Sequence, residues 1–275
     1  MNFIKAVIGF YFNALALISP KRAGKQSFYF FCIPFKAKLK PVQQTFLDSA
    51  KKKSLQLNGK GIQTYTWGEG PNIVLLVHGW QSNTYRWRKY IESFDQAKHT
   101  VIGFDAPGHG NSEGLFCNVP LYEKTLRLVV EHYGIPNAVV SHSIGAFSSM
   151  YFMHKNNIVI DRFVSLATPF TAGQFVKVFK SELNVSDKLV KHMKSYFQVY
   201  TTHPIEYYSL ENFNDMFHTK ALLIHDMNDE ATGVDNSKRL HKLMDDSVLN
   251  LTEGYGHRLK NQLVVDRVCQ FVNEN

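Results

Sequence analysis

The sequence predicts an α/β fold in which a mostly parallel central sheet is flanked by helices. Short apolar runs recur along the chain, and most of them are separated by segments of helical length. One of these runs, residues 73–77, consists entirely of β-branched residues and leucine. Such a run is typical of a strand covered on both faces, as strands of a parallel sheet are.

Composition and cysteine usage limit the class of protein. With 275 residues, 44% of them hydrophobic, the chain can bury a substantial core, so extensive disorder is not expected. Its three cysteines, Cys32, Cys117 and Cys269, are widely spaced and odd in number, which predicts neither a disulfide framework nor a zinc site. This usage favours a reducing compartment, and we expect a cytoplasmic protein.

The net charge of +8 originates in the N-terminal segment. Residues 1–60 carry eleven Lys and Arg and one acid, Asp48, whereas the other 215 residues carry 20 basic and 22 acidic side chains. A nucleic-acid groove across the main domain is therefore not expected. We divide the chain into a basic N-terminal extension, residues 1–60, and a globular domain, residues 61–275.

The extension begins with an apolar run, residues 3–18, which predicts a helix followed by the basic residues Lys21, Arg22 and Lys25. The run is shorter than the roughly 20 apolar residues of a bilayer span. It is not followed by a small-residue cleavage site. Two alternatives remain: the helix packs on the protein's own surface, or it lies peripherally in a membrane interface, on the cytoplasmic side, beside anionic lipid.

The remaining elements follow in chain order. Residues 21–60 lack a sustained period and predict at most one short strand, whereas residues 63–67 alternate and end at a Gly-rich turn, which predicts a strand. A helix is predicted at 121–133. Further strands are predicted at 73–77, 101–104, 138–140, 163–166, 221–224 and 248–251.

One long interval interrupts this alternation. More than fifty residues separate the strand that ends near Leu166 from the strand that begins at Ala221, and they are rich in Phe and Tyr. That length exceeds a single crossover helix, so we predict an all-helical lid, residues 168–218, above the strand ends.

The segment Ser141 to Ala146 follows directly on the predicted strand 138–140 and opens a helical run. A serine hydroxyl is a weak nucleophile unless a sharp turn holds it exposed beside a base. Because such a turn strains the backbone, the residues two before and two after the serine must be small. Ser141 and Gly145 meet this requirement, which makes Ser143 the candidate nucleophile of a G-x-S-x-G elbow whose first Gly is Ser.

Acyl transfer also needs donors aimed at the oxyanion that develops on the substrate carbonyl. The backbone N–H of Ile144, at the start of the elbow helix, is one candidate. His78-Gly79-Trp80-Gln81 leaves the predicted strand 73–77 in a position to supply the second donor, for which we choose the N–H of Trp80.

Together these residues resemble the α/β-hydrolase family from about Gln63 to the C-terminus. His78-Gly79 matches the HG turn that follows the family's third strand. The segment from Asp105 to Ser112 matches its D-x-x-G-x-G-x-S loop. The resemblance implies a structural role for that loop, so Asp105 is not assigned to catalysis.

The resemblance also implies an acid and then a histidine after the serine. The segment from His225 to Glu230 is similar to the family's H-G-x-x-D segment, which places the acid at Asp229, with Asp226 and Glu230 as alternatives because Asp226 replaces the usual Gly. His257 lies in a Gly-rich loop after the last predicted strand and matches the catalytic histidine. The side chain of His142, beside the serine, is expected to point away from this base.

The resemblance implies a Ser-His-Asp hydrolase that cleaves carboxylic esters through an acyl-enzyme and needs no metal or organic cofactor. A serine nucleophile disfavours the haloalkane dehalogenase and epoxide hydrolase branches. The aromatic lid favours a small-molecule substrate with an apolar acyl or aryl group, although its binding residues are not assigned. Amidase, thioesterase and carbon-carbon bond hydrolase activities remain open, as does a binding protein without turnover.

Overall fold

A computed structural model describes residues 2–36, 38–213 and 217–274. These residues form two compact units. The sheet unit comprises Pro34–Phe170 and Phe213–Asn275, and the helical unit comprises Met1–Ile33 and Thr171–Asn212.

The strands of the sheet unit are β1 (Lys51–Leu57), β2 (Lys60–Trp67), β3 (Asn72–Val77), β4 (His99–Phe104), β5 (Ala138–His142), β6 (Arg162–Leu166), β7 (Lys220–Asp226) and β8 (Ser247–Thr252). They form one eight-stranded sheet in the order β1-β2-β4-β3-β5-β6-β7-β8. β1 and β2 pair antiparallel, as do β2 and β4, and every later pairing is parallel. The mostly parallel sheet predicted from the sequence is confirmed.

Helices accompany this sheet along the chain and bury it. The central strands contribute fully buried side chains such as Leu76, Val140, Val164 and Leu222 to one hydrophobic core. Consecutive residues are also buried, as in β5, where all five are. Because successive side chains of a strand point to opposite faces, both faces are covered, which explains why these sequences are continuously apolar. The helices of the sheet unit are α3 (Pro41–Asp48), α4 (Arg88–Ser93), α5 (Val119–Tyr133), α6 (Ile144–Asn156), α9 (Asp235–Leu243) and α10 (Gln262–Asn273).

The sheet begins earlier than the boundary at residue 60 that the sequence analysis placed. β1 and β2 form a hairpin in which Leu57 pairs with Lys60. The two residues between them, Asn58 and Gly59, have φ angles of 51° and 71°, as a two-residue turn of type I′ requires. A boundary between residues 60 and 61 therefore falls inside β2 and cuts it off from its partner β1. α3 and β1 belong to the sheet unit.

The helical unit contains α1 (Asn2–Ile18), α2 (Pro20–Phe31), α7 (Ala172–Leu183) and α8 (Asp187–Thr201). α1 lies where the sequence predicts a helix, whereas α2 was not anticipated. α7 and α8, followed by short 3₁₀ turns, occupy most of the interval 168–218, of which residues 214–216 lie outside the described residues. None of the described helices is long and apolar enough to cross a membrane.

Candidate active site

Ser143 lies in a tight turn between β5 and α6, with a φ angle of 54°. This is the left-handed region, which costs free energy for a residue with a Cβ. Ser141 and Gly145 are small for two different physical reasons. A Cβ on Gly145 would overlap the carbonyl oxygen of His78, and the buried Ser141 hydroxyl donates to the carbonyl of Val164 over 2.8 Å.

The structure brings Ser143, His257 and Asp229 together at the carboxyl ends of β5, β7 and β8. The Nε2 atom of His257 lies 3.1 Å from the Ser143 hydroxyl oxygen, and its Nδ1 atom lies 2.9 Å from Oδ2 of Asp229. Asp229 follows β7 and His257 follows β8, and these two strands are adjacent and parallel. Their parallel register therefore delivers the carboxylate and the imidazole to the same edge of the sheet.

The Asp229 carboxylate is buried and surrounded by donors. Oδ1 accepts from the backbone N–H groups of Ala231 and Thr232 at 2.8 and 3.1 Å, and Oδ2 accepts from the Thr232 hydroxyl at 2.7 Å. The Nε2 of the fully buried His225 lies 3.1 Å from the same Oδ2. Burial opposes ionisation, but hydrogen bonds from His225 and His257 hold the pKa of Asp229 well below its usual range.

The two alternative acids occupy other positions. Asp226 is fully buried, and its carboxylate accepts from the Thr252 hydroxyl and from the backbone N–H of Tyr255, each at 2.8 Å. It thereby fixes the loop that leads to the histidine. Glu230 is exposed to solvent. Of the three candidates, Asp229 is the one that lies within hydrogen-bonding distance of the His257 ring in the described part of the chain.

Two buried histidines brace the loop that carries Trp80. His78 Nδ1 lies 2.7 Å from the carbonyl of Gly79, and its Nε2 accepts from the Ala106 N–H at 3.0 Å. Nδ1 therefore holds the proton, because a carbonyl can only accept. Burial lowers the pKa of His78 to about 4, so the ring is neutral near pH 7.

His109 repeats this arrangement on the neighbouring loop. Its Nδ1 lies 3.0 Å from the carbonyl of Pro107, and its Nε2 accepts from the backbone N–H of Gln81 at 3.2 Å. Gln81 has a φ of 52°, so a strained residue next to Trp80 is held by this bond. Burial, followed by the nearby His78, lowers the pKa of His109 to about 3.

The loop of Gly79 and Trp80 approaches the serine closely. A Cβ on Gly79 would lie 3.2 Å from the Cβ of Ser143. The N–H of Ser143 itself donates to the carbonyl of Leu166 at 2.9 Å. The N–H groups of Trp80 and Ile144, by contrast, have no hydrogen-bond acceptor among the described residues.

Asp105 occupies the interior of the loop that follows β4. Its Oδ1 accepts from the backbone N–H and the hydroxyl of Thr84 at 2.8 and 2.9 Å, and its Oδ2 accepts from the Tyr65 hydroxyl at 3.0 Å. These bonds connect β2, β4 and the segment after the HG turn. The carboxylate thus has structural partners, in agreement with the role that the resemblance implies.

The expectation for His142 is wrong. Its ring lies 4.9 Å from the ring of His257, between centroids, and its Nε2 lies 2.8 Å from the carbonyl oxygen of His257. Nε2 must therefore carry the proton. Burial, with Arg86 nearby, lowers the pKa of His142 well below its usual value. The neutral ring holds the backbone of the histidine loop.

Sequence reasoning missed the support that surrounds these residues. His225 and Thr232 both contact the Asp229 carboxylate, and Ser237 lies 2.6 Å from Nδ1 of His225. The i, i+4 spacing of His225 and Asp229 at a strand end was the available signal. Within residues 2–36, 38–213 and 217–274, no cluster of three His, Cys, Asp or Glu side chains could hold a metal ion.

Comparisons with known proteins agree with this architecture. A family model described as the alpha/beta hydrolase fold matches residues 72–185. A putative lipase from Acinetobacter baumannii AYE superimposes with a TM-score of 0.64 at 15% identity, covering 86% of this chain and 97% of that structure. The protein has the α/β-hydrolase fold. The resemblance seen in the sequence is thereby confirmed.

Two further proteins of different description are similar to this chain. Est1E from Butyrivibrio proteoclasticus, solved with ferulic acid bound, superimposes with a TM-score of 0.63 at 17% identity, covering 80% of this chain and 97% of that structure. A soluble epoxide hydrolase from Corynebacterium sp. (strain C12) is 31% identical over 109 residues, which is 38% of this chain and 37% of that relative. The match thus spans little more than a third of the epoxide hydrolase. A putative lipase and a soluble epoxide hydrolase are thus both among the proteins that this chain resembles.

Proposed function

We propose that this protein is a serine hydrolase that cleaves carboxylic esters, with Ser143 as nucleophile, His257 as general base and Asp229 as the acid that orients it. The observation that carries the proposal is the continuous path from hydroxyl to imidazole to carboxylate, with separations of 3.1 and 2.9 Å. Both distances fall within hydrogen-bonding range without any movement.

The hydrogen bonds define the protonation state that the reaction needs. A carboxylate can only accept, so Nδ1 of His257 carries the ring proton and donates it to Asp229. Nε2 is then left with its lone pair and accepts the hydrogen bond from the Ser143 hydroxyl. This is the tautomer in which the imidazole can take the serine proton.

The reaction proceeds in two balanced steps. The Ser143 oxygen attacks the acyl carbonyl while its proton passes to His257, which then gives that proton to the departing alcohol as the ester bond breaks. Water next attacks the acyl-serine, its proton passes to His257, and the imidazole returns it to the serine oxygen as the carboxylic acid leaves. The Asp229 carboxylate stabilises the imidazolium in both steps.

The N–H groups of Trp80 and Ile144 are proposed to bind the oxyanion. Their support is the closeness of Gly79 to the Ser143 side chain and the lack of an acceptor for either N–H in the described structure. Donors that are unpaired in the resting site can be used fully by the transition state, where one such bond contributes about 3 to 4 kcal/mol.

The substrate proposed is a small molecule with an apolar acyl or aryl group. This part rests on the aromatic residues of the interval 168–218, which we propose to act as a lid. The serine nucleophile argues against the epoxide hydrolase branch despite the relative described above. Thioesters, amides and activated carbon-carbon bonds are rival substrates for the same three residues.

A fluorophosphonate probe tests the proposed nucleophile. The unmodified protein should be labelled at Ser143, as mapped by peptide mass spectrometry. Ser143→Ala should lose the label and on the order of 10⁶-fold in kcat. Ser148→Ala, a buried serine five residues further along α6, is the matched control and should retain both. Labelling at another residue, or undiminished labelling of Ser143→Ala, would overturn the assignment.

A substrate panel then separates the reaction classes. We expect p-nitrophenyl esters to be hydrolysed with a kcat/KM that rises with acyl-chain length. Matched thioester, anilide and styrene oxide substrates should be slower. Faster turnover of any of the three would reject the carboxylic-ester assignment while leaving the nucleophile in place.

A further inference from the structure

The solvent-facing side of α1 is apolar along its whole length. Phe3 and Phe10 expose 80% and 75% of their surface, and five other large apolar side chains of this helix are exposed as well. Lys5, the one charged residue of α1, is only partly exposed and forms an ion pair with Glu182. The other five are Ile4, Val7, Tyr11, Leu17 and Ile18. An uncharged exposed face of this size is typical of an interaction surface.

These side chains form one continuous stripe, because Phe3, Val7, Phe10 and Leu17 recur at helical spacing. The opposite side of α1 is already packed within the helical unit. Phe12 there is buried and lies 5.5 Å from the ring of Phe30 of α2. The internal packing of the helix is therefore complete without the exposed stripe.

Cations flank the stripe. Lys21, Arg22 and Lys25, at the start of α2, are exposed and follow the end of α1 directly. Residues 2–33 contain no Asp or Glu at all. The combination of an apolar helix face with an adjoining cluster of exposed cations matches the chemistry of an anionic bilayer surface. A second copy of the chain would bring the same cations and no acid from residues 2–33 to pair with them.

We propose that α1 binds in the plane of a membrane that contains anionic lipid. The stripe of Phe3, Val7, Phe10 and Leu17 enters the acyl-chain boundary, and the basic residues that follow contact lipid phosphates. α1 has 17 residues, a length of about 26 Å along the surface at the usual helical rise. This inference goes beyond the proposed hydrolase activity and does not depend on it.

Vesicle flotation of the full chain tests the proposal. The protein should float with vesicles of 70% phosphatidylcholine and 30% phosphatidylglycerol, and it should bind pure phosphatidylcholine at least about tenfold more weakly. Raising the salt from low to high concentration should weaken the binding to anionic vesicles. The absence of binding to anionic vesicles at low salt would overturn the proposal.

Matched variants localise the surface. The double variant Phe3→Asp/Phe10→Asp should lose at least about tenfold in partitioning, whereas Leu115→Asp/Val159→Asp, two exposed apolar residues of the sheet unit, should bind normally. Replacing Lys21, Arg22 and Lys25 by Gln should remove the preference for anionic lipid. Equal loss in both double variants would overturn the proposal.

Two controls separate lipid binding from catalysis and from self-association. Ser143→Ala should bind vesicles normally, so that a failure of the proposed activity leaves this test intact. Sedimentation without lipid should show the same mass for the unmodified protein and for Phe3→Asp/Phe10→Asp. A dimer that dissociates in the double variant would show that the stripe pairs two copies instead, and would overturn the membrane assignment.

Discussion

The Nε2 atom of His142 donates a hydrogen bond over 2.8 Å to the carbonyl oxygen of His257. The residue before the proposed nucleophile thus fixes the backbone of the proposed base. Without this contact, the loop that carries His257 would sample positions in which Nε2 of His257 lies beyond hydrogen-bonding distance of the Ser143 hydroxyl.

Replacing His142 by Ala should lower kcat/KM about tenfold, since the net value of one hydrogen bond is about 1 kcal/mol and positioning adds to it. Ester hydrolysis at pH 8 is the measurement. His142→Gln, whose amide can donate to the same carbonyl, should recover part of the loss. His132→Ala, an exposed histidine, is the control. Equal activity of His142→Ala and the unmodified protein would contradict a positioning role.

Gly79 leaves no room for a side chain. A Cβ there would lie 2.7 Å from Nδ1 of His142 and 3.2 Å from the Cβ of Ser143. Gly79→Ala should displace the Trp80 N–H and lower kcat by about tenfold or more. Gly173→Ala, whose Cβ would meet no atom closer than 3.6 Å, is the matched control. Full activity of Gly79→Ala would contradict the proposal that the loop of Gly79 and Trp80 binds the oxyanion.

The two buried acids after β7 should respond differently to neutralisation. Asp229→Asn should lower kcat by on the order of 10³-fold or more, because the amide cannot hold the His257 tautomer. Asp226→Asn should mainly lower the free energy of unfolding, since it weakens the bonds to Thr252 and Tyr255. The exposed Glu230→Gln should change neither quantity. A larger kcat loss in Asp226→Asn than in Asp229→Asn would exchange their roles.

The free energy of unfolding should fall at acid pH, because the buried histidines are neutral in the folded protein. Because burial depresses the pKa of His78 to about 4, the unfolded chain binds a proton between pH 6.5 and 4 that the folded chain excludes. The stabilisation is complete above pH 6.5 and is lost as the pH falls through about 4, with His78 alone contributing about 3 kcal/mol.

Urea unfolding at several pH values between 7.5 and 4 measures this loss. In His109→Gln the free energy of unfolding should depend less steeply on pH. This variant lacks one of the buried histidines with a lowered pKa, which is about 3 for His109. Ser148→Ala, which removes no titratable group, should leave the dependence of the free energy of unfolding on pH unchanged. A free energy of unfolding that is constant from pH 7 to 4 would contradict the neutral state of these rings.

Gly24 allows α2 and α8 to approach closely. A Cβ on this glycine would overlap the carbonyl oxygen of His192 and lie 2.8 Å from its carbonyl carbon. Gly24→Ala should therefore lower the free energy of unfolding by about 1 to 3 kcal/mol, measured in urea. Gly173→Ala, with space around its Cβ, should be neutral or stabilising. A neutral Gly24→Ala would show that the helices do not pack at this distance.

The strands could be predicted because their signal is local. Runs such as residues 73–77 are apolar throughout since both faces are buried, and the sequence marks them directly. α2 was missed for the opposite reason. Its buried side is formed by Ala23, Gly24, Ser27 and Phe28, of which only Phe28 is large and apolar, so no apolar period is visible.

The site residues could be predicted where their position in the sequence, directly after a strand, determines where they lie in the fold. Ser143, Asp229 and His257 each follow a strand, and parallel strands bring their carboxyl ends to one edge. The contact of His225 with the Asp229 carboxylate had only the i, i+4 spacing as its signal. The direction of the His142 ring depends on tertiary packing, which no local pattern encodes. The same holds for His109 and the strained Gln81.

The insertion between β6 and β7 leaves and rejoins the sheet at neighbouring, hydrogen-bonded strands, with Arg162 opposite Lys220 and Leu166 opposite Ile224. Strand register is thus set independently of how many residues intervene. Segments from other proteins could be grafted here, or this one shortened, while the strand ends that carry the serine, the acid and the histidine keep their spacing. The length and sequence of this segment can accordingly vary while the three candidate residues keep their places along the sheet edge.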